Sequence, residues 1–144
     1  MFKPKITIIC GDLLHGQGHN IPNQLQWFIQ KLADFNSTFV IVKGNHDPID
    51  LKIENEAWDI CNSFSMGGIL FSHYPQETGP YIAGHSHPGV RIKQGRFIKC
   101  FKAFAVDDHG IICPSYGHYT GSFAKDLDQK TLYYIENATV KRLN

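Results

Sequence analysis

The sequence predicts an α/β fold in a single domain over residues 1–144: layered sheets with helices outside. Three observations predict it. A chain of 144 residues suffices for one domain and not for two. Its opening third alternates β-rich apolar runs with a helical stretch, and the rest carries short strand-like runs separated by glycine turns. Hydrophobic residues make up 42% and charged residues 19%, a globular balance that supports a core without disulfide staples.

The elements follow in order. Residues 5–10 (KITIIC) are apolar and β-rich and run into Gly11-Asp12, a buried strand ending in a loop. Asn20-Ile21-Pro22 opens a helix, with proline suited to its first turn. Leu25, Phe28, Ile29 and Leu32 recur at helical spacing on one face. Residues 38–43 (TFVIVK) form a second strand, completing a right-handed βαβ unit with a parallel sheet. Phe64 to Phe71 carries Gly67-Gly68 between short apolar pieces, a hairpin signal. Tyr81-Ile82-Ala83 is a short strand, residues 90–105 read as two strands around Gln94-Gly95, and residues 131–135 and 138–143 read as a closing hairpin. The later part is therefore expected to be mostly antiparallel. Trp27 and Trp58 read as core or flank.

Net charge is +1 with histidine neutral, which neither requires nor excludes nucleic acid. Cys10, Cys61, Cys100 and Cys113 form no C-x-x-C pair, so they read as small buried hydrophobes in a reducing cytosol. The run from Ile6 to Cys10 is too short for a signal peptide or a membrane span, and the expected location is cytoplasmic.

Four segments at strand ends carry metal-ligand atoms: Gly11-Asp12-Leu13-Leu14-His15, Gly44-Asn45-His46-Asp47, Ser72-His73 and Gly84-His85-Ser86-His87. Carboxylate, amide oxygen and imidazole on loops at the carboxyl ends of strands converge in one crevice of an α/β sheet. One such segment alone is weak evidence, since a lone loop histidine is usually a surface residue. Four in this order make a joint signal.

The order GD-x-x-H, GNHD, H, GHSHP resembles motifs of the calcineurin-like metallophosphoesterases. Within them the chain is most similar to the bacterial ligase-associated DNA-damage-response endonucleases, through GDLLH, GHSHPGVR and the run from Cys100-Phe101 to Pro114-Ser115-Tyr116-Gly117-His118-Tyr119-Thr120-Gly121. The resemblance covers about residues 5–123 and implies a layered metallophosphoesterase-type β-sandwich flanked by helices. It implies divalent transition metals, manganese, iron or zinc. Asp12 would bridge two metals, Asn45, His73 and His85 would complete one, and His87 would belong to the other. His46 would act as general acid or transition-state stabiliser. His15 stands where the family's DNA-repair nucleases have histidine and its phosphoprotein phosphatases have aspartate, which points to nucleic acid.

The family's opening D-x-H motif has no counterpart, because only Met-Phe-Lys-Pro precedes residue 5. Three readings follow: N-terminal truncation, replacement ligands from His15, His19 or a second chain, or a one-metal or inactive descendant. Truncation is the reading placed first, and the expected centre is one strong site and one weak or incomplete site.

Arg91, Lys93, Arg96, Lys99 and Lys102 follow the GHSHP loop, and no acid occurs from 84 to 106. They read either as a phosphate-tracking surface or as a solvated hairpin face. Tyr116, His118 and Tyr119 read as base-stacking groups or as packing. The expected function is hydrolysis of phosphodiesters, with DNA as the candidate substrate. The alternatives are a small-molecule phosphatase or cyclic-nucleotide phosphodiesterase, and a non-catalytic metal-binding remnant.

Overall fold

The computed structural model describes residues 4–14, 29–32, 37–49, 51–53, 56–117, 120–122, 127, 129–137 and 139–143. The first sheet is three-stranded and parallel: β1 (Ile6–Cys10), β2 (Thr38–Val42) and β3 (Trp58–Cys61), with Ile8 opposite Val40 and Ile41 opposite Ile60. β2 lies at its centre with both edges paired, and its buried residues alternate between both faces. Burial on both faces is why its sequence is a continuous apolar run, with Phe39, Val40, Ile41 and Val42 all buried.

Phe39, Ile41, Leu51 and Trp58 form the core of this half, and the Phe39 and Trp58 rings stack with centroids 4.5 Å apart. Ile29 and Leu32 of the helical residues 29–32 pack against it, as their spacing predicted. Leu25, Phe28, Trp27 and the helix opening at Asn20-Ile21-Pro22 lie outside the described residues. β3 is an element the sequence reading did not predict. Its four residues WDIC look like a core fragment, and they become a strand because β2 offers a free edge.

The second sheet has eight strands: β4 (Ser63–Met66), β5 (Ile69–Ser72), β6 (Tyr81–Ala83), β7 (Gly89–Gln94), β8 (Phe97–Val106), β9 (Gly110–Ile112), β10 (Thr131–Glu136) and β11 (Thr139–Arg142). Their order is β11-β10-β8-β9-β6-β5-β4, with β7 paired to β8. Gly67 and Gly68 turn the β4–β5 hairpin at φ 60° and 78°, a conformation glycine adopts without penalty.

The sheet is mostly antiparallel, as expected, and its centre is the exception. β6 pairs in parallel with both β5 and β9, Ala83 facing Ser72 on one side and Ile112 on the other. Parallel pairing aligns the carboxyl ends of β5 and β6, which is where His73 and His85 follow. Tyr81, Ala83, Ala105, Ile112 and Leu127 are the buried core here. Away from the site, Lys130 donates to the Asp107 carboxylate, which also accepts the amides of His109 and Gly110 at 2.8 Å each. No helix among the described residues is long and apolar enough to cross a membrane.

Candidate metal centre

The site forms where the carboxyl ends of β1, β2, β5 and β6 meet, so both sheets supply side chains. Asp12 leaves β1 through a tight left-handed corner, with φ 90° at Gly11 and 54° at Asp12. A side chain at Gly11 would collide with the His73 ring, and one at Gly44 with the Asp12 carboxylate. Asp47 holds this corner. Its buried carboxylate accepts the amides of Asp12 at 2.9 Å, Gly44 at 2.8 Å and Leu14 at 2.8 Å. Three charge-assisted bonds to a buried carboxylate stitch the loop after β1 to the loop after β2. The sequence reading gave Asp47 no role. Its signal is an acid placed three residues after Gly44, able to fold back on the amides of its own loop.

His73 is buried at the centre. Its Nδ1 lies 3.0 Å from the carbonyl of Cys10. A carbonyl only accepts, so Nδ1 carries a proton, and in the neutral ring Nε2 then presents a lone pair. That Nε2 lies 2.9 Å from Asn45 Oδ1, 3.0 Å from His85 Nδ1 and 3.4 Å from Asp12 Oδ2. Asp12, His73 and His85 offer ligand atoms within 4.8 Å of one another, and Asn45 joins them through its oxygen. Carboxylate oxygen, amide oxygen and imidazole nitrogens gathered this closely form a donor set that fits a metal. Oxygen and imidazole donors suit manganese, iron or zinc.

Burial, then the neighbouring His73, lowers the basicity of His85, against the opposing pull of Asp12. Burial likewise lowers His87, again opposed by Asp12, with His85, His73 and Lys102 adding to the depression. Both rings are thereby favoured in the neutral form that ligates metals.

The other predicted residues fall as follows. His87 shares an electrostatic environment with Asp12 and Lys102 but is not in the Asp12–His73–His85 cluster. His46 is exposed, and its backbone amide donates to Asp12 Oδ1 at 2.9 Å, which sets its side chain at the rim of the centre. His15, His19, His118 and Tyr119 lie outside the described residues. Tyr116 is 96% exposed.

The five cations of the basic run do not share a face. Arg91 and Lys93 lie opposite Cys100 and Ile98, so they point to one side of the β7–β8 hairpin, while Lys99, opposite Ile92, points to the other. Lys102 donates to the carbonyls of Ser115, at 2.7 Å, and Gly117. Cys100, paired with Arg91 on the β7–β8 hairpin, is exposed, which corrects its reading as a buried residue. Burial, with Cys113 adding to it, pushes the Cys10 thiol up to about 12, so this thiol is inert.

The calcineurin-like phosphoesterase family profile matches residues 2–141. No curated protein matches the chain significantly. Among solved structures, a nuclease MPE from Pseudomonas putida superposes with a TM-score of 0.68 at 24% identity, covering 96% of this chain and 71% of its own. A single-mutant Vps29 from Entamoeba histolytica aligns at 14% identity with a TM-score of 0.34, over 96% of each chain. The first of these agrees with the described sheets in fold.

Proposed function

This chain belongs to the calcineurin-like phosphoesterase family, and we propose that within it the protein is a phosphodiesterase acting on DNA, with Asp12, Asn45, His73 and His85 holding its metal. The observation that carries the proposal is the convergence of potential ligand atoms on His73 Nε2, with neighbours at 2.9, 3.0 and 3.4 Å. A divalent transition metal supplies Lewis-acid neutralisation of the phosphate charge and acidification of water near neutral pH.

The chain's own residues do the rest. Asp47 fixes the Asp12 corner, so the carboxylate needs no reorganisation when it ligates. His46, held at the rim through its amide, donates a proton to the leaving oxygen. His15 is proposed to contact the phosphate beside it. His87 is proposed as a ligand of a second, weaker position. DNA as the substrate class draws on His15, on the exposed Arg91 and Lys93 beyond the His87 loop, and on the nuclease named among the structural neighbours.

The test is hydrolysis of bis(p-nitrophenyl) phosphate, p-nitrophenyl phosphate and circular DNA with manganese added. The proposal expects metal-dependent diester hydrolysis and DNA nicking. His46→Ala should retain metal and lose about 100-fold in diester rate. Absence of diester hydrolysis overturns the proposal, and preference for the monoester makes the protein a small-molecule phosphatase. Loss of metal in His46→Ala would make His46 a ligand instead.

A further inference from the structure

His73 and His85 are held by different means. The His73 ring is fixed by its Nδ1 proton on the Cys10 carbonyl. A ligating imidazole ordinarily has such a partner on its far nitrogen, which sets tautomer and orientation. His85 has none: among the described residues its only hydrogen-bond contact is through Nδ1, to His73 Nε2. It is also exposed and sits in left-handed backbone at φ 64°, a conformation that persists in a non-glycine residue only when its surroundings enforce it.

The loop's own backbone holds that conformation: Ser86 N–H donates across His85 to the Gly84 carbonyl at 2.8 Å, and Gly84 N–H donates to the His73 carbonyl at 3.1 Å. What packs on the ring is Tyr74. The Tyr74 ring lies 4.4 Å from the His85 ring, tilted by 56°, and 4.8 Å from the His73 ring, edge-on at 74°. Tyr74 is itself braced. Its carbonyl accepts from Ser72 Oγ at 2.7 Å and from Gln76 Nε2 at 2.7 Å, and Ser72 and Gln76 also bond each other at 3.3 Å. Ser72 is buried, so the brace is anchored at the end of β5.

We propose that Tyr74 is a positioning residue of the metal centre. Packing of its ring on His85 keeps Nδ1 aimed at Asp12 and His73, the part that the Cys10 carbonyl plays for His73. The proposal rests on the reading of His85 as a ligand. It needs the aromatic ring and not the phenol oxygen.

Cobalt(II) titration of the whole protein, followed by visible absorption, tests it without reference to activity. Tyr74→Leu should weaken cobalt binding by about 10- to 100-fold, the range for residues that orient a ligand from outside the coordination shell. Tyr74→Phe should bind as the wild type does. In a His85→Ala background, Tyr74→Leu should add no further loss, because a pair acting through one ligand is not additive. Gln76→Ala, which releases the Tyr74 carbonyl and leaves the ring, is the second variant if Tyr74→Leu fails to fold. It should weaken binding in the same direction by a smaller factor. Unchanged affinity in the folded variants, or an equal loss with and without His85, overturns the proposal. A wild type that binds no cobalt overturns the reading of the centre itself.

Discussion

His85 and His87 stand two residues apart on one loop, both in left-handed backbone, at φ 64° and 45°. Only His85 joins the Asp12–His73 cluster. His87 lies where Asp12 attracts a proton to it and Lys102 repels one. Two histidines of one short motif thus meet different environments, because the chain turns through two unusual conformations between them. The first brings its Nδ1 to the ligand atoms of Asp12 and His73. The second feels the same carboxylate and the His85 and His73 rings from outside the cluster, with Lys102 added. Both lie within electrostatic reach of Asp12, and His85 alone of the two joins its cluster.

The largest expected effect breaks this comparison directly. His85→Ala should weaken manganese binding by more than about 100-fold, beyond what loss of an orienting neighbour costs. His87→Ala should retain the tightly held ion. Equilibrium dialysis with manganese measures both. Equal losses would mean that the two rings serve one site.

A smaller effect extends the comparison outward from His87. Arg91 and Lys93 share a face of the β7–β8 hairpin, and both are exposed. If that face follows a duplex backbone, neutralising both to glutamine should reduce the slope of log affinity against log salt by about two. DNA binding at several salt concentrations decides it, and an unchanged slope would leave the hairpin as a solvated surface.

The smallest effect is a control remote from the centre. Burial raises the Asp107 carboxyl, but bonds from Lys130 and from the amides of His109 and Gly110 outweigh it and hold it below the ordinary range. With a folded value below the unfolded value of about 3.9, its stabilisation is present above that pH and is lost as pH falls through the folded value. Asp107→Asn should therefore cost about 0.5–1 kcal/mol near neutral pH, a modest figure because the pair is partly exposed, and should leave metal binding unchanged. Thermal melts at neutral and acid pH check this. A variant that loses metal would tie Asp107 to the centre.

Local pattern made much of this legible. The apolar runs of β1 and β2, the glycine pair of the β4–β5 hairpin and the closing hairpin all announce themselves within ten residues. The ligand-bearing segments did too, since each is a polar loop following such a run. What stayed hidden was non-local. β3 is a strand because β2 lies beside it, and β6 runs parallel between β5 and β9 through pairings that no neighbouring residue encodes. Asp47 and Tyr74 escaped for the same reason. Their partners are the amides of Asp12 and Leu14 and the ring of His85, which only the assembled crevice brings together.

Asp12, Asn45, His73 and His85 are proposed to make one strong metal position, with His87 apart from it. Elemental analysis of the purified protein, loaded with manganese and dialysed, tests it most directly. One retained equivalent per chain is the expected result. Two equivalents would contradict it by giving His87 a full site of its own, and none would mean that the convergent ligand atoms do not hold a metal.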